Sequence, residues 1–276
     1  MNNIEISNEE SEFVESKNTI NWSIGYLFNQ SILENNKKDF LKIENLSVYR
    51  KSSKVQTLFD VSFELHPNSF HIFIGENGAG KSTTIKSIIG EISDYTGVIY
   101  FNSNKKLERY KIFYVPDQQP KFPNVSILDY LFNLTKLLTD KQDSLILSEI
   151  DNLLNRYSLE NIKKRNVNRL SAGQKQKILI ISAFLVDAPY IVLDEPFANL
   201  DPTSRYSFMM DLKELSLNGT CIFLSTHILD EIKDYATHAT FIKKGRLIES
   251  TQVYDPEYIC DFYKNNYLLA YDKTRK

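Results

Sequence analysis

The sequence predicts an α/β fold with a mainly parallel core sheet, an antiparallel β subdomain and an inserted helical subdomain. Segments of strand and helix texture alternate in both halves of the chain, and such alternation favours parallel strands covered by helices. A block that contains no clear strand lies between the two halves, at about 120–185. The helical texture of this block predicts the inserted helical subdomain. The chain shows no fixed-period repeat, so a solenoid fold is not predicted.

The chain begins with an extension, residues 1–39, that is rich in Asn, Glu and Lys. Its apolar island, Ile20–Leu33, is typical either of a short amphipathic helix that packs on the domain or on a partner, or of a loosely held polar extension. From Phe40 the texture becomes that of strands, in FLKIENLSVY, TLFDVSFEL and FHIFIG. A helical segment, GKSTTIKSIIGEI, and two further strands, GVIYFN and KIFYVP, complete the first half.

The middle block contains three helical segments, ILDYLFNLTKLL, LILSEIDNLLNRYSL and AGQKQKILIISAFLV. Helical texture stops at Asp187 and Pro189, because proline cannot continue a helix. The second half then alternates between the strand YIVLDEP, the helix PTSRYSFMMDLKELSL, the strand TCIFLSTH, a further helix, and short strands within TFIKKGRLIES. We predict one domain over residues 40–250, followed by a Tyr-rich C-terminal tail, residues 251–276.

The composition is that of a soluble globular protein. Hydrophobic residues make up 42% and charged residues 25% of the 276 positions, which excludes whole-chain disorder and a disulfide scaffold. A net charge of −2 without a basic stripe argues against a nucleic-acid partner. Cys221 and Cys260 are too few and too far apart for a metal cluster, and we interpret both as inert, with Cys221 in the core.

The longest apolar stretch does not predict a membrane span. Ile178–Leu193 is interrupted by Asp187 and Pro189 and is shorter than the ~20 residues of a spanning helix. The first residues are acidic and polar, unlike the basic start and apolar stretch of a secretory signal. We therefore expect a cytoplasmic protein.

A phosphate-binding loop is predicted at residues 75–82, GENGAGKS, which fits G-x-x-x-x-G-K-[ST] between a predicted strand and a predicted helix. Glycines in such a loop let backbone N–H groups converge on phosphate oxygens, and the helix directs its positive end at them. Lys81 would neutralise the β- and γ-phosphates of ATP, and the Ser82 hydroxyl would bind Mg²⁺. The residues expected to bind nucleotide here are Gly75, Asn77, Gly78, Ala79, Gly80, Lys81, Ser82 and Thr83.

Two carboxylates end the apolar strand YIVLDE, at a place where ligand-facing residues lie in open α/β sheets. Acidic pairs after strands are commonly just solvated ends or helix caps. Together with the upstream phosphate loop they complete a hydrolytic site. Asp194 would hold Mg²⁺ directly or through water, and Glu195 would polarise the attacking water.

Two further motifs each allow a structural and a functional interpretation, and both interpretations can be correct at the same time. Ser171 and Gln174 in LSAGQ form a capping box, and the capped helix start also exposes backbone N–H groups to an anion. Asp201 before Pro202 is an N-cap with proline in the first helical turn. His227, which follows the strand TCIFLST, would by itself more often be a structural hydrogen-bonding residue than a catalytic one.

Six motifs occur in a fixed order over roughly residues 41–250: GENGAGKST, YVPDQQP, LSAGQ, YIVLDEP, ANLD and STH. In this order they resemble the nucleotide-binding subunit of an ABC transporter, which belongs to the P-loop NTPases. The resemblance implies a head-to-tail dimer that holds each ATP between the phosphate loop of one subunit and the LSAGQ signature of the other.

The resemblance also assigns roles to individual residues. Ser171 and Gly173, in a signature that includes Gln174, would contact the γ-phosphate of the partner's ATP. Asp201 would cross the dimer interface, and His227 would contact the γ-phosphate and the attacking water. Tyr49 falls near the position where the family stacks an aromatic ring on adenine, although an ordinary aromatic at a strand end fits the same pattern. The expected catalytic set is therefore Glu195, His227 and Lys81.

The sequence departs from the family pattern at two positions. Ala172 replaces a usual Gly in the signature, a small-for-small change that leaves backbone approach to phosphate intact. Asp117 takes the place of a usual Gln that contacts metal and water; it can still bind Mg²⁺ but cannot donate as an amide does. We therefore expect Ser82, Asp194 and Asp117 to be the metal ligands. The acidic residue at position 117 and the motifs GENGAGKSTT and NLDP are similar to the corresponding segments of subunits that drive drug, peptide or polysaccharide exporters.

The resemblance predicts an ATP-hydrolysing subunit that powers transport, with export favoured. It implies an integral-membrane permease subunit on another chain, a homodimer or heterodimer of ATPase subunits, and a peripheral position on the inner face of the cell membrane. The alternative is a soluble ATPase of the same family in a non-transport role such as iron–sulfur cluster assembly. A non-enzymatic interaction module would require degenerate catalytic residues, and these are intact.

Overall fold

Nine strands form one mixed sheet in the computed structural model, which describes residues 39–50, 55–103, 105–227 and 229–268. Their order across the sheet is β4-β1-β2-β9-β8-β3-β7-β6-β5. The strands are β1 Leu41–Arg50, β2 Val55–Leu65, β3 Phe70–Ile74, β4 Thr96–Phe101, β5 Ile112–Val115, β6 Tyr190–Asp194, β7 Cys221–Thr226, β8 His238–Lys243 and β9 Arg246–Gln252. The predicted α/β fold is confirmed. The island Ile20–Leu33 lies outside the described residues.

Two kinds of pairing divide the sheet. β4, β1 and β2 pair antiparallel and form the antiparallel part. β8, β3, β7, β6 and β5 are parallel to one another, while β9 folds back antiparallel on β8 and pairs with β2 at Phe59 and Arg246. The carboxyl ends of the parallel strands therefore meet at one edge of the sheet, where ligands bind in open α/β folds.

The helices match the predicted organisation. Across the described residues there are six α-helices: α1 Lys81–Ile89, α2 Ile127–Leu138, α3 Asp143–Arg156, α4 Ala172–Val186, α5 Pro202–Leu217 and α6 Pro256–Tyr263. Helices α2, α3 and α4 form the helical block between β5 and β6. Helix α4 ends at Asp187, whose φ of 52° breaks the helical backbone two residues before Pro189.

The parallel strands are buried on both faces, which explains their continuous apolar sequences. Along β3, Ile72 and Ile74 join the apolar cluster formed with the helical block and α5. Phe73 points the other way, into the cluster formed with α1 and the antiparallel strands. A central strand packed in this way holds its last residue rigidly, and the phosphate loop starts there.

One predicted helix is not present. The segment after His227 was expected to be helical, but in its described part, 229–236, it forms turns and one short 3₁₀ turn, Lys233–Tyr235. Leu229 and Ile232 are both buried in the apolar cluster on that side of the sheet. Tight turns, and not a helix, therefore bury these two residues. Tertiary packing outweighs the helical spacing of the sequence in this segment.

The C-terminal region packs on the domain as far as Leu268. The predicted boundary at residue 250 falls inside strand β9, and the chain continues through α6 into one turn of π-helix, Lys264–Leu268. Ile259, Cys260 and Tyr267 are buried against the core. Cys221 is also buried, as expected. Within the described ranges, none of the helices combines the length and the apolar character that crossing a membrane requires.

Candidate nucleotide-binding site

The phosphate-binding loop joins β3 to α1, as the motif predicts. Gly80 is the residue before the helix and has a φ of 114°, a conformation that L side chains rarely adopt. The first turn of α1 contains no acidic side chain, so the positive end of the helix is not neutralised from within. A Cβ at Gly78 would meet nothing within 4 Å. The loop therefore offers an open backbone cradle that suits phosphate groups.

Lys81 lies at the centre of the site. Its side chain is only 7% exposed. The Nζ donates to the Gly75 carbonyl at 2.7 Å and lies 3.4 Å from Glu195 Oε1. The ammonium is thus held between the phosphate loop and the acidic end of β6, where it can neutralise a triphosphate.

The end of β6 places its two carboxylates by pairing with β7. Ser225 Oγ donates to Asp194 Oδ1 at 2.6 Å and accepts from the Glu195 backbone N–H at 3.0 Å. Glu195 itself has a φ of 46°, so its side chain leaves the strand direction. None of the described residues donates a hydrogen bond to the buried Glu195 Oε1. That oxygen faces Lys81 and is suited to accept a proton from water.

His227 contacts the same carboxylate. Its Nδ1 lies 2.9 Å from Glu195 Oε2. Since an ionised carboxylate can only accept, Nδ1 is the nitrogen that carries hydrogen in this contact. The His227 side chain is 52% exposed, which leaves the rest of its ring open to a ligand.

The oxygen donors near the phosphate loop fit a divalent cation. Asp194 is buried, and burial together with the Asp194 charge raises the pKa of Asp117 above its ordinary value. Carboxylate oxygens such as those of Asp117 and Asp194, and a hydroxyl such as that of the exposed Ser82 at the start of α1, are ligands of the kind that Mg²⁺ prefers. In the described part of the chain no three His, Cys, Asp or Glu side chains form a metal site by themselves.

The signature and the segment before α5 form a second cluster. Ser171 caps α4 and makes the predicted capping box with Gln174. Gly173 lies against the backbone of Asn199, since a Cβ there would be 2.7 Å from the Asn199 carbonyl oxygen. Lys177 Nζ lies 3.5 Å from Asp201 Oδ2. The two motifs therefore contact each other within one chain.

Asp201 is the N-cap of α5, as predicted. Its carboxylate accepts from the Ser204 hydroxyl at 2.6 Å and from the Ser204 N–H at 2.8 Å. These hydrogen bonds, with a smaller contribution from Lys177, lower the pKa of Asp201 to about 2. The side chain is therefore an anion throughout the physiological pH range.

The two clusters do not share hydrogen bonds or ion pairs among the residues that the structure describes. Among the described residues, no hydrogen bond or ion pair joins Ser171, Gly173 or Asp201 to Lys81, Glu195 or His227. Tyr49 lies near the end of β1, paired with Gln56 and half exposed. Its place beside adenine stays a prediction.

Two site residues escaped the sequence interpretation. Ser225 was noticed only as part of a polar strand end, yet its hydroxyl orients both Asp194 and Glu195. Gln119 Nε2 donates to the Ala172 carbonyl at 2.6 Å and so ties the segment after Asp117 to the signature helix. A polar residue at the end of a strand next to the acidic strand is the signal that could have identified Ser225.

Comparisons with known proteins agree with this geometry. The family model described as ABC transporter matches residues 58–198. An ABC transporter ATP-binding protein of Mycoplasma pneumoniae is 36% identical over 199 residues, which are 71% of this chain and 61% of that protein. The lantibiotic transport ATP-binding protein SrtF of Streptococcus pyogenes is 30% identical over 237 residues, 85% of this chain and 100% of that protein.

A solved structure extends the agreement to three dimensions. The structure of an ATP-binding subunit of an ABC transporter superposes with a TM-score of 0.72 and 27% identity, over 86% of this chain and 100% of that one. Family model, relatives and fold all point to the same conclusion: this chain belongs to the ABC transporter family, as an ATP-binding domain.

Proposed function

We propose that this chain binds Mg·ATP, hydrolyses it to ADP and phosphate, and thereby powers transport through a permease subunit on another polypeptide. The observation that carries the proposal is the convergence of Lys81 and His227 on the Glu195 carboxylate, at 3.4 and 2.9 Å. Glu195 and His227 directly follow the ends of β6 and β7, and Lys81 begins the helix that follows β3. These three strands are parallel neighbours, so the sheet itself assembles the three groups. Binding and hydrolysis of ATP by the purified chain is the primary test.

Each residue has a role that follows from its contacts. The phosphate-loop amides and the Lys81 ammonium bind the triphosphate, and Glu195 Oε1 accepts a proton from the attacking water. His227 keeps the Glu195 carboxylate in place through Oε2 and presents its exposed ring edge to the γ-phosphate. Mg²⁺, when bound by Ser82, Asp194 and Asp117, would neutralise charge on the β- and γ-phosphates.

The second cluster supports a dimer. We propose that Ser171, Gly173 and Gln174 contact the γ-phosphate bound by a partner subunit, and that Asp201 crosses the interface. A capped helix start with Ser171 exposed is suited to that role. Light scattering with and without ATP tests it: a chain that stays monomeric with saturating Mg·ATP would contradict the dimer.

The partner is the remaining part of the proposal. We propose an integral-membrane permease, a peripheral position on the cytoplasmic face of the membrane, and export as the direction, which the exporter-like motifs favour. Purification together with the product of the neighbouring reading frame tests the permease. Absence of any membrane-embedded partner in that preparation would argue against transport, and uptake measured in inverted and right-side-out vesicles of the complex would decide the direction.

We expect His227→Ala to lower turnover more than affinity. The substitution removes the hydrogen bond to Glu195 Oε2 and leaves the Lys81 contact with the phosphate loop. Loss of one positioned group near the reacting atoms costs about 10²- to 10³-fold in kcat, while Kd for ATP should change little. Steady-state hydrolysis and binding of a fluorescent ATP analogue measure the two effects, with His66→Ala as the control. A larger effect on Kd than on kcat would contradict the assignment.

We expect Gly173→Ala to disturb the signature motif. The added Cβ would lie 2.7 Å from the Asn199 carbonyl oxygen, so helix α4 must move relative to the segment before Asp201. Overpacking of this kind costs about 1–3 kcal/mol of stability, and turnover should fall because the two parts of the second cluster separate. Ala172→Gly, which removes a methyl group at the next position, is the matched control. Equal hydrolysis rates in the two variants would contradict the expectation.

A further inference from the structure

The C-terminal turn, Lys264–Leu268, contacts the strand beside the phosphate loop. It is a single turn of π-helix that directly follows α6, and isolated π-turns frequently accompany functional sites. Tyr267 is its buried residue, with 2% of its surface exposed. Its ring stacks on that of Tyr263 with a centroid separation of 4.6 Å.

Two consecutive residues of β8 hold the turn. The Tyr267 hydroxyl donates to the Ile242 carbonyl oxygen at 2.9 Å. Lys243 Nζ donates to the Asn266 carbonyl and lies 5.1 Å from the centroid of the Tyr267 ring. Because the backbone and the side chains both take part, the turn is anchored at this one place on the sheet.

Ile242 in turn lies against the phosphate loop. A Cβ at Gly75 would be 2.5 Å from the Ile242 carbonyl oxygen, and one at Gly80 would be 3.2 Å from Ile242 Cδ1. The Ile242 carbonyl is therefore confined between Gly75 and the Tyr267 hydroxyl. Since the Gly75 carbonyl accepts from Lys81 Nζ at 2.7 Å, the contacts run without a gap from the turn to the catalytic lysine.

The tyrosines also adjoin Glu76, the second residue of the loop. Burial raises the pKa of Tyr263, and the negative charge of Glu76 raises it further. Burial, Tyr263 and Glu76, in that order, raise the pKa of Tyr267. The Tyr267 hydroxyl therefore keeps its proton and remains a hydrogen-bond donor.

We propose that Tyr267 is a positioning residue for ATP binding, which acts through the Ile242 carbonyl on Gly75 at the start of the phosphate loop. The proposal rests on the ATP binding proposed above. A hydroxyl that holds this carbonyl in place keeps the loop in the shape that binds phosphate before nucleotide arrives. Without it the loop has more conformations to lose on binding, so affinity falls while the catalytic groups at Glu195 and His227 are unchanged.

Tyr267→Phe removes only the hydroxyl and keeps the packed ring. We expect Kd for a fluorescent ATP analogue and KM for Mg·ATP to rise about three- to tenfold, the range of one lost hydrogen bond, with kcat within about twofold. Tyr258→Phe is the matched control, because Tyr258 lies on α6, the helix just before the turn, and its hydroxyl donates to Glu249 instead of to β8 next to the phosphate loop. Lys243→Met, which removes the other anchor, should raise KM in the same direction.

The outcomes separate this inference from the function itself. Wild-type protein that binds no Mg·ATP would overturn the proposed function. Wild-type binding together with unchanged Kd and KM in Tyr267→Phe would overturn the role of Tyr267 alone, whatever the result for Lys243→Met. A fall in melting temperature of Tyr267→Phe without a rise in KM would show that the hydroxyl is merely structural, and would overturn the role too.

Discussion

Glu195→Gln should abolish turnover while ATP binding persists. Glutamine has the same shape, and the main-chain N–H of residue 195 still donates to the Ser225 hydroxyl and carbonyl oxygens, because these hydrogen bonds do not involve the side chain of residue 195. The amide, however, is not a base and cannot accept the proton of the attacking water. Removing a positioned general base costs about 10²- to 10⁴-fold in rate, so steady-state turnover should become negligible.

A second consequence concerns the dimer. If ATP holds two subunits together and hydrolysis releases them, the Glu195→Gln dimer should live longer in Mg·ATP than the wild-type dimer. Single-turnover hydrolysis and size-exclusion chromatography with light scattering measure the two effects. Glu231→Gln is the control, because the Glu231 carboxylate pairs with Arg205, at 2.7 Å, and not with Lys81 or His227. Unimpaired hydrolysis in Glu195→Gln would refute the assigned base.

Lys81→Ala should weaken nucleotide binding itself. The ammonium is nearly buried, and it is the cation that the loop directs toward the phosphates. Hydrogen bonds to a charged group contribute about 1.5–3 kcal/mol, which corresponds to an increase in Kd of about ten- to hundredfold. Titration with a fluorescent ATP analogue measures the change.

The control for this substitution lies on the same helix. Lys86→Ala removes an equally long cationic side chain, 43% exposed and paired with Glu91, and should leave Kd within about twofold. A comparable loss of affinity in the two variants would mean that net charge alone, rather than the Lys81 position, determines binding.

Much of the site could be predicted because its chemistry is local. The phosphate loop is a short segment whose glycines, lysine and serine have to follow one another in sequence, and the structure places it between β3 and α1 as expected. Capping of α4 by Ser171 and of α5 by Asp201 is also decided within a single turn. Burial on both faces makes the parallel strands continuous apolar runs, so their positions were predictable as well.

Contacts between distant segments could not be predicted in the same way. The contact of Ser225 with Asp194 depends on β7 lying beside β6, and strand order leaves no trace in local periodicity. The turns after His227 replaced a predicted helix because burial of Leu229 and Ile232 outweighed their helical spacing. The C-terminal turn was predicted only as part of a tail, since nothing in its sequence shows that Tyr267 meets Ile242.

The sequence by itself determined where a glycine-rich loop opens a helix, which carboxylates end a buried strand, and which helices carry caps, because backbone preferences and side-chain chemistry act over a few residues. Only the tertiary structure decided that Lys81 and His227 meet at Glu195 and that a C-terminal tyrosine adjoins the phosphate loop through β8. The physical reason is that such contacts depend on which strands are neighbours, and that order follows from packing of the whole chain.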